Sequence, residues 1–385
     1  MIFMNMPGNK NKGRPKIALV YDRVVKFGGA ERILLALNRL WPDAPLYTAV
    51  YNNRKVPWAK KIEVKTSFLK YLPIADRYQE ILPFLTPYVF ENFNFDDFDI
   101  VISVTSSDAK SIVTKPGTLH ICYCLTPTRY LWSGYEEYLK EPGVGLFNPL
   151  ARLILKTFLP HLRHWDYLSS ARVDQYLSIS QTVQKRIWHY YKRKAQIIYP
   201  PAATHFFRLS KNKPTLDYYL IVSRLVPYKS LDYAIKAINR LKTNLIIIGS
   251  GIDRGRLRSL AGPTVKFIEG NLTDRKLCWY YQNCRSLIFP GEEDFGLTAV
   301  EAQACGRPVI ALNKGGAAES IRPGLTGLLY EHKSEESLID TINKFEKMNF
   351  EPHDCRENSL KFAEGIFEKR MKETILNFWK EGNWA

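Results

Sequence analysis

The sequence predicts an α/β protein made of two doubly wound domains, and three observations point there. Short apolar, β-branched runs alternate with amphipathic stretches, the pattern of parallel strands covered on both faces by helices. The alternation stops at a proline pair near the middle of the chain and then restarts. The length of 385 residues also exceeds the size at which a single core keeps growing, so two cores are expected.

Residues 16–21 read as the first strand, followed by a loop carrying Gly28 and Gly29 and a helix over 30–40. Residues 98–104, 119–124 and 174–179 are further buried strands. Around Ile197 the chain leaves a strand and meets Pro200 and Pro201, and the polar stretch 210–215 follows, which predicts domains over 1–200 and 201–365. The second domain reads as strand 219–222, helix 230–240, strands 244–248, 265–268 and 286–289, a helix from Leu297, and strand 308–311. A terminal helix over 367–379 belongs to the segment 366–385. Asp97-Phe98-Asp99 imitates a D-x-D metal motif but precedes a strand, whereas ligands of parallel sheets bind beyond the carboxyl ends of the strands. A turn and cap is therefore expected there, with no metal ligand.

The formal charge is +17 and unevenly spread, with 14 Lys/Arg against five Asp/Glu over residues 110–210. Such a surface favours an anionic partner, whether phosphorylated substrate, acidic lipid or nucleic acid. Aromatic residues make up 13% of the chain, too many for a disordered segment. The six cysteines are too scattered for a disulfide scaffold and read as reduced thiols. No apolar run approaches the roughly 18 residues of a spanning helix, and residues 1–15 have no apolar core of signal-peptide length, so a cytoplasmic protein with a floppy basic arm is expected.

The most specific segment runs over 290–302, where an acidic, glycine-containing loop leaves a strand and opens into a helix. Glu293 and Glu301 stand eight positions apart, about 12 Å of rise if the span were all helical. Between them the free N–H groups near Gly296, Leu297 and Thr298 form a site for a diphosphate. A ligand with hydroxyls at both ends and phosphates in the middle fits, and a sugar nucleotide is such a ligand. Arg224 and Lys229 leave the end of another strand just before a helix, where cations can reach a pyrophosphate.

Glu293-Asp-Phe-Gly-Leu-Thr-Ala-Val-Glu301, continuing through Val309 and into Gly315-Gly-Ala-Ala-Glu319, resembles the E-x7-E motif of the retaining group 1 glycosyltransferases of the GT-B kind, with two Rossmann-like domains facing across a cleft. The resemblance implies that Glu293 contacts the donor sugar and Glu301 the ribose. It also implies that Arg224 and Lys229 stabilise the leaving diphosphate in place of a metal, with no cofactor. Relatives usually have glycine where this chain has Ser230. Gly28-Gly29-Ala30-Glu31 resembles the family's glycine loop near the donor phosphates. Residues 120–132, ending in Thr126-Pro-Thr-Arg-Tyr-Leu-Trp132, resemble a subgroup of polysaccharide mannosyltransferases, in which a donor-contacting histidine occupies the position of Leu125. Thr126, Arg129 and Tyr130 are the candidates for lining the cleft, whereas His120, alone among apolar neighbours, reads as a hydrogen-bonded core residue. The terminal helix resembles the family segment that crosses back onto the first domain.

Between 150 and 162, Leu150, Leu153, Ile154, Phe158 and Leu162 recur at helical spacing, with Arg152, Lys156 and Arg163 on another face. Core packing with a solvated basic face is one reading and contact with an anionic membrane surface is the other. The expected function is transfer of a hexose, mannose or glucose, from a nucleoside-diphosphate sugar to a soluble or lipid-linked glycan acceptor in cell-surface polysaccharide synthesis. The protein would be cytoplasmic or peripheral on the inner face of the membrane. A sugar-nucleotide epimerase of the same fold is the enzymatic alternative. A basic module for nucleic acid or lipid is the other, but no nucleic-acid-reading motif is present and Glu293 and Glu301 would then lack a role.

Overall fold

A computed structural model of the chain describes residues 14–53, 56–71, 86–140, 145, 148–210, 216–270 and 272–382. The basic arm before residue 14 and most of the polar stretch 210–215 lie outside the described residues. Two compact units result, Met1–Tyr176 with Glu373–Ala385, and Leu177–Lys372. The division thus falls before the proline pair rather than at it. Residues 181–191 explain the difference, because this helix is fastened to the second unit: the Glu319 carboxylate accepts hydrogen bonds from the backbone N–H of Gln181 (2.8 Å) and Thr182 (2.9 Å).

The first sheet is built from β1 (Ile17–Tyr21), β2 (Leu46–Thr48), β3 (Val64–Thr66), β4 (Ile100–Thr105), β5 (Leu119–Cys124), β6 (Gln175–Ser178) and β7 (Ala195–Ile197). Its order is β3-β2-β1-β4-β5-β6-β7, and the unit boundary falls inside β6. The register places Leu19 beside Leu46 and Ile102, and Ile102 beside Ile121, all in parallel. Every residue of β1, β4 and β5 is buried, as expected of strands covered on both faces.

The second sheet comprises β8 (Tyr219–Val222), β9 (Leu245–Ile248), β10 (Val265–Ile268), β11 (Leu287–Phe289), β12 (Val309–Leu312) and β13 (Gly327–Tyr330), in the order β10-β9-β8-β11-β12-β13. The alternation of each strand divides its residues between two cores. Tyr219 and Ile221 pack with Ile235, Ile238, Ile247 and Ile342, while Leu220 packs with Phe207, Tyr281, Phe289, Ala299 and Ala302. Each fully buried Leu or Ile contributes about 1.5–3 kcal/mol relative to exposure, so the two faces together hold the sheet. Because β8, β9 and β10 progress to one side and β11, β12 and β13 to the other, the connections reverse between β8 and β11. Ligands of doubly wound sheets bind in the crevice at the carboxyl side of such a reversal.

The turn between β8 and the helix Leu231–Leu241 needs a residue in the left-handed region, and Ser230 sits there at φ 55°. This explains physically why glycine is the common choice at that position. Asp97-Phe98-Asp99 is the expected turn, with Asp99 Oδ2 accepting from the backbone N–H of Lys16 at 2.8 Å. His120 is fully buried between Ser103 Oγ (2.9 Å) and the Arg172 carbonyl (3.3 Å), and burial lowers its pKa to about 4.

The helix Asn148–Ser170 differs from either simple reading. Its buried face is Leu155, Leu159, Leu162 and Asp166, whereas Leu150, Leu153 and Phe158 are 52%, 63% and 44% exposed. Arg163 is not on a merely solvated face. Its Nε donates to the Leu131 carbonyl at 2.7 Å, and its guanidinium lies over the rings of Trp132 and Tyr135. Among the described residues no helix is long and apolar enough to cross a membrane.

Candidate functional site

The crevice at the reversal between β8 and β11 is lined by Val222, Ser223, Lys229, Pro290, Gly291 and Glu293, among others. Two loops supply its charge. The loop after β8 brings Lys229 into a buried position, where its ammonium pairs with Glu293 Oε1 from the loop after β11. Arg224 is exposed and donates to the Tyr228 hydroxyl. The Tyr228 ring lies 5.0 Å from Lys229 Nζ and 5.9 Å from the Arg224 guanidinium, so one aromatic ring neighbours both cations. Tyr228 sits inside the segment that carries the two cations, yet nothing in its spacing marks it.

Beyond Glu293 the chain makes a tight entry into a helix. Gly296 takes φ 88° as the N-cap of Leu297–Ala304, and a Cβ there would meet Ala317 at 2.9 Å and the Phe289 ring at 3.0 Å. Only glycine fits both the dihedral and the space. Leu297 and Thr298 form the first turn, half-buried, and a first helical turn leaves its backbone N–H groups without intrahelical partners. The span from Glu293 to Glu301 is not continuous helix, however, because the first four residues are loop. Glu301 lies in the second turn, buried, with Oε2 accepting from the Tyr281 hydroxyl at 3.0 Å. Tyr281 comes from the helix Asp274–Asn283, which the sequence reading did not single out.

The backbone of the acidic loop is fixed from below. Gly316 N–H donates to the Glu293 carbonyl at 2.7 Å, and a Cβ on Gly316 would lie 2.1 Å from the Asp294 carbonyl oxygen. The Gly315-Gly316 pair is thus required by the close approach of two segments of the chain.

The first unit holds the remaining candidates. Gly28 is the N-cap of the helix Gly29–Leu40, with extended backbone, and a Cβ on it would meet Glu31 Oε2 at 3.2 Å. The Glu31 carboxyl is buried and accepts from the Tyr21 hydroxyl at 2.8 Å; burial raises its pKa. The reversal between β1 and β4 is tied by Asp22, which accepts from Thr105 Oγ1 (2.7 Å), Ser106 N–H (2.8 Å) and Ala109 N–H (2.9 Å).

Thr126 is buried with its hydroxyl unpartnered among the described residues, Arg129 packs along Gly134, and Tyr130 is half-buried against Tyr138. Leu125 is half-buried, its N–H bonded to the Thr105 carbonyl. This loop is anchored by residues that the sequence did not reveal. Asp166 Oδ1 accepts from Lys110 Nζ and Thr128 Oγ1, each at 2.6 Å, and its Oδ2 accepts from Trp132 Nε1 at 2.7 Å. Lys110 and Asp166 are almost completely buried, and the attraction of Asp166 and Asp108 outweighs burial to raise the Lys110 pKa.

Residues 204–362 match the family model of glycosyl transferases group 1. The chain is 27% identical over 264 residues to an uncharacterized glycosyltransferase of Methanocaldococcus jannaschii, covering 66% of this chain and 74% of that one. It is 35% identical over 129 residues to a GDP-mannose-dependent alpha-mannosyltransferase of Mycobacterium tuberculosis, a match that spans about a third of either chain. The fold is similar to that of Anabaena HepE, solved in complex with UDP-glucose, with a TM-score of 0.68 at 18% identity over 94% of this chain and all of that one. It is likewise similar to a lipopolysaccharide outer core galactosyltransferase, with a TM-score of 0.65 at 17% identity over 94% and 99% of the two chains. Residues 204–362 thus match the glycosyl transferases group 1, and the two Rossmann-like sheets share the GT-B fold of the solved structures.

Proposed function

We propose that the protein moves a hexose from a nucleoside-diphosphate sugar to a glycan or lipid-linked glycan acceptor with retention of anomeric configuration. The observation that carries this reading is the pairing of Lys229 with Glu293 in the crevice between β8 and β11. A buried cation and a carboxylate share one end of the crevice, and the free N–H groups of Leu297–Ala304 follow. Lys229 and Arg224 stabilise the diphosphate as the bond from sugar C1 to phosphate oxygen breaks, and no metal is required. The acceptor hydroxyl attacks C1 on the face the diphosphate leaves and gives its proton to the departing phosphate oxygen. Glu293 holds the sugar hydroxyls and Glu301 the ribose. GDP-mannose is the first donor to test, given the names of the mannosyltransferase relatives, and UDP-glucose the second.

The acceptor side is proposed to work at an anionic membrane surface on the cytoplasmic face. Leu150, Leu153, Thr157, His161, His164 and Leu168 step by threes and fours along Asn148–Ser170, and all are exposed. They form one solvent-facing stripe opposite the buried one, flanked by Lys156. The same helix anchors the Thr128 and Trp132 loop through Asp166.

Thermal unfolding in the presence of GDP-mannose, UDP-glucose and ADP-glucose tests the donor site, since a ligand at a hundred times its Kd adds about 2.7 kcal/mol of stability. Product analysis with and without a glycan acceptor separates transfer from epimerisation. No stabilisation by any sugar nucleotide overturns the reading. An altered sugar nucleotide formed without acceptor assigns the site to an epimerase.

A further inference from the structure

Glu292, Glu293 and Asp294 place three carboxylates in succession at the mouth of the crevice, and like charges so close oppose one another. Two cations relieve them in different directions. Lys229 takes the middle one. Arg186, from the helix Gln181–Tyr191, takes the outer two, with Nη2 at 2.9 Å from Glu292 Oε1 and Nη1 paired with Asp294 Oδ1. Arg186 and Asp294 are each only 17% exposed in their side chains, so the pair is largely shielded from solvent.

The helix that carries Arg186 is itself fastened to the loop beneath Glu293. Glu319 accepts from the backbone N–H of Gln181 and Thr182 and from Thr182 Oγ1 (3.1 Å). Gly316, three residues before Glu319, donates to the Glu293 carbonyl. A closed circuit results, from the acidic loop through Arg186 to its helix, through Glu319 to the glycine turn, and back to the Glu293 backbone.

Resting on the donor reading above, we infer that Arg186 is a positioning residue for Glu293. Its guanidinium fork turns both flanking carboxylates away from the crevice and leaves Glu293 facing Lys229 and the transferred sugar. A planar fork bridges two carboxylates with N–H groups held at a fixed spacing, which the compact ammonium of lysine does not offer.

The test compares Arg186→Ala and Arg186→Lys with the native protein, using GDP-mannose and GDP, or whichever nucleotide pair the thermal screen selects. Arg186→Ala is expected to lower kcat/KM for the donor tenfold or more while the Kd of the free nucleoside diphosphate stays within threefold. Arg186→Lys, which preserves a charge in case the alanine variant fails to fold, should show a loss of threefold or more with the same retained diphosphate affinity. In a Glu292→Ala, Asp294→Ala background the fork has nothing to hold, so Arg186→Ala should cost less than threefold further. Donor kcat/KM within threefold of native in both single variants overturns the inference and leaves the donor site standing. Equal losses for diphosphate and donor, or additive losses in the double background, also overturn it. A native protein that neither binds nor turns over any sugar nucleotide overturns the donor reading itself, and the inference with it.

Discussion

The Lys229 ammonium and the Glu293 carboxylate meet between the loops that leave two adjacent strands, β8 and β11. Neither loop alone makes a site. The reversal of strand order opens the crevice, and the pair places opposite charges at its edge, where a diphosphate and a polyhydroxylated sugar can each find a partner. The buried position of Lys229 matters, because a cation shielded from water acts more strongly on developing phosphate charge than one in bulk solvent. Replacement of Lys229 or Arg224 by alanine should therefore cut turnover by roughly two orders of magnitude or more. Turnover should be insensitive to EDTA. Near-native rates in both variants, or a strict metal requirement, would show that the leaving diphosphate is stabilised elsewhere.

The exposed stripe of Asn148–Ser170 yields a prediction about membranes. Leu150, Leu153 and Leu168 are each more than half exposed, an arrangement that has no stabilising role in water. Leu153→Asp and Leu150→Asp should leave folding intact and weaken sedimentation with anionic vesicles severalfold, and added salt should release the native protein. Equal binding of native and Asp variants would show that the helix is not the contact, and no vesicle binding at any salt would favour a soluble acceptor.

Much of this architecture is legible in the sequence because it depends on local pattern. The buried strands β1, β4, β5 and β8 are short apolar runs, and the acidic loop leading into Leu297–Ala304 is marked by glycine and by the Glu293 to Glu301 spacing. Ser230 is visible as a departure from glycine, and the left-handed backbone there shows why glycine is the usual residue. What was not legible are contacts made only by topology. Arg186 reaches Asp294 across 108 positions, and Lys110 reaches Asp166 across 56. No periodicity encodes such pairs. The long helix shows another limit: it carries leucines on two opposite sides, and only tertiary packing decides that Leu155, Leu159 and Leu162 go inward while Leu150 and Leu153 remain outside.

His120 gives a pH dependence that is independent of any donor. Its folded pKa lies near 4, below the ordinary 6.5, because burial disfavours the charged ring. The unfolded chain therefore binds the extra proton first as pH falls, so the neutral buried ring contributes stability that is fully present above about pH 6.5 and is lost on descent towards pH 4. The loss from this group should approach about 3 kcal/mol across that window. Urea unfolding at several pH values measures it, and His120→Asn should flatten the profile between pH 6.5 and 4. A native slope that persists in His120→Asn would assign the acid sensitivity to other groups.

The two glutamates of the donor loop and helix separate a sugar-nucleotide site from a generic nucleotide site. Glu301 is buried and accepts from the Tyr281 hydroxyl, whereas Glu293 is more exposed and paired with Lys229 at the crevice. If Glu301 holds the ribose, Glu301→Ala should weaken both the free nucleoside diphosphate and the intact donor. If Glu293 holds the transferred sugar, Glu293→Ala should weaken the donor and spare the diphosphate. Each lost charge-assisted hydrogen bond costs on the order of 1.5–3 kcal/mol, and only a ligand with the matching hydroxyl feels it. Tyr281→Phe should fall between these cases, because it removes the orienting bond to Glu301 but leaves the carboxylate in place. Calorimetric titration of the variants with nucleoside diphosphate and with sugar nucleotide reads the pattern directly. Should Glu293→Ala lose the diphosphate as severely as Glu301→Ala does, the two carboxylates do not divide the donor between them, and Glu293 acts on the phosphates through Lys229 instead.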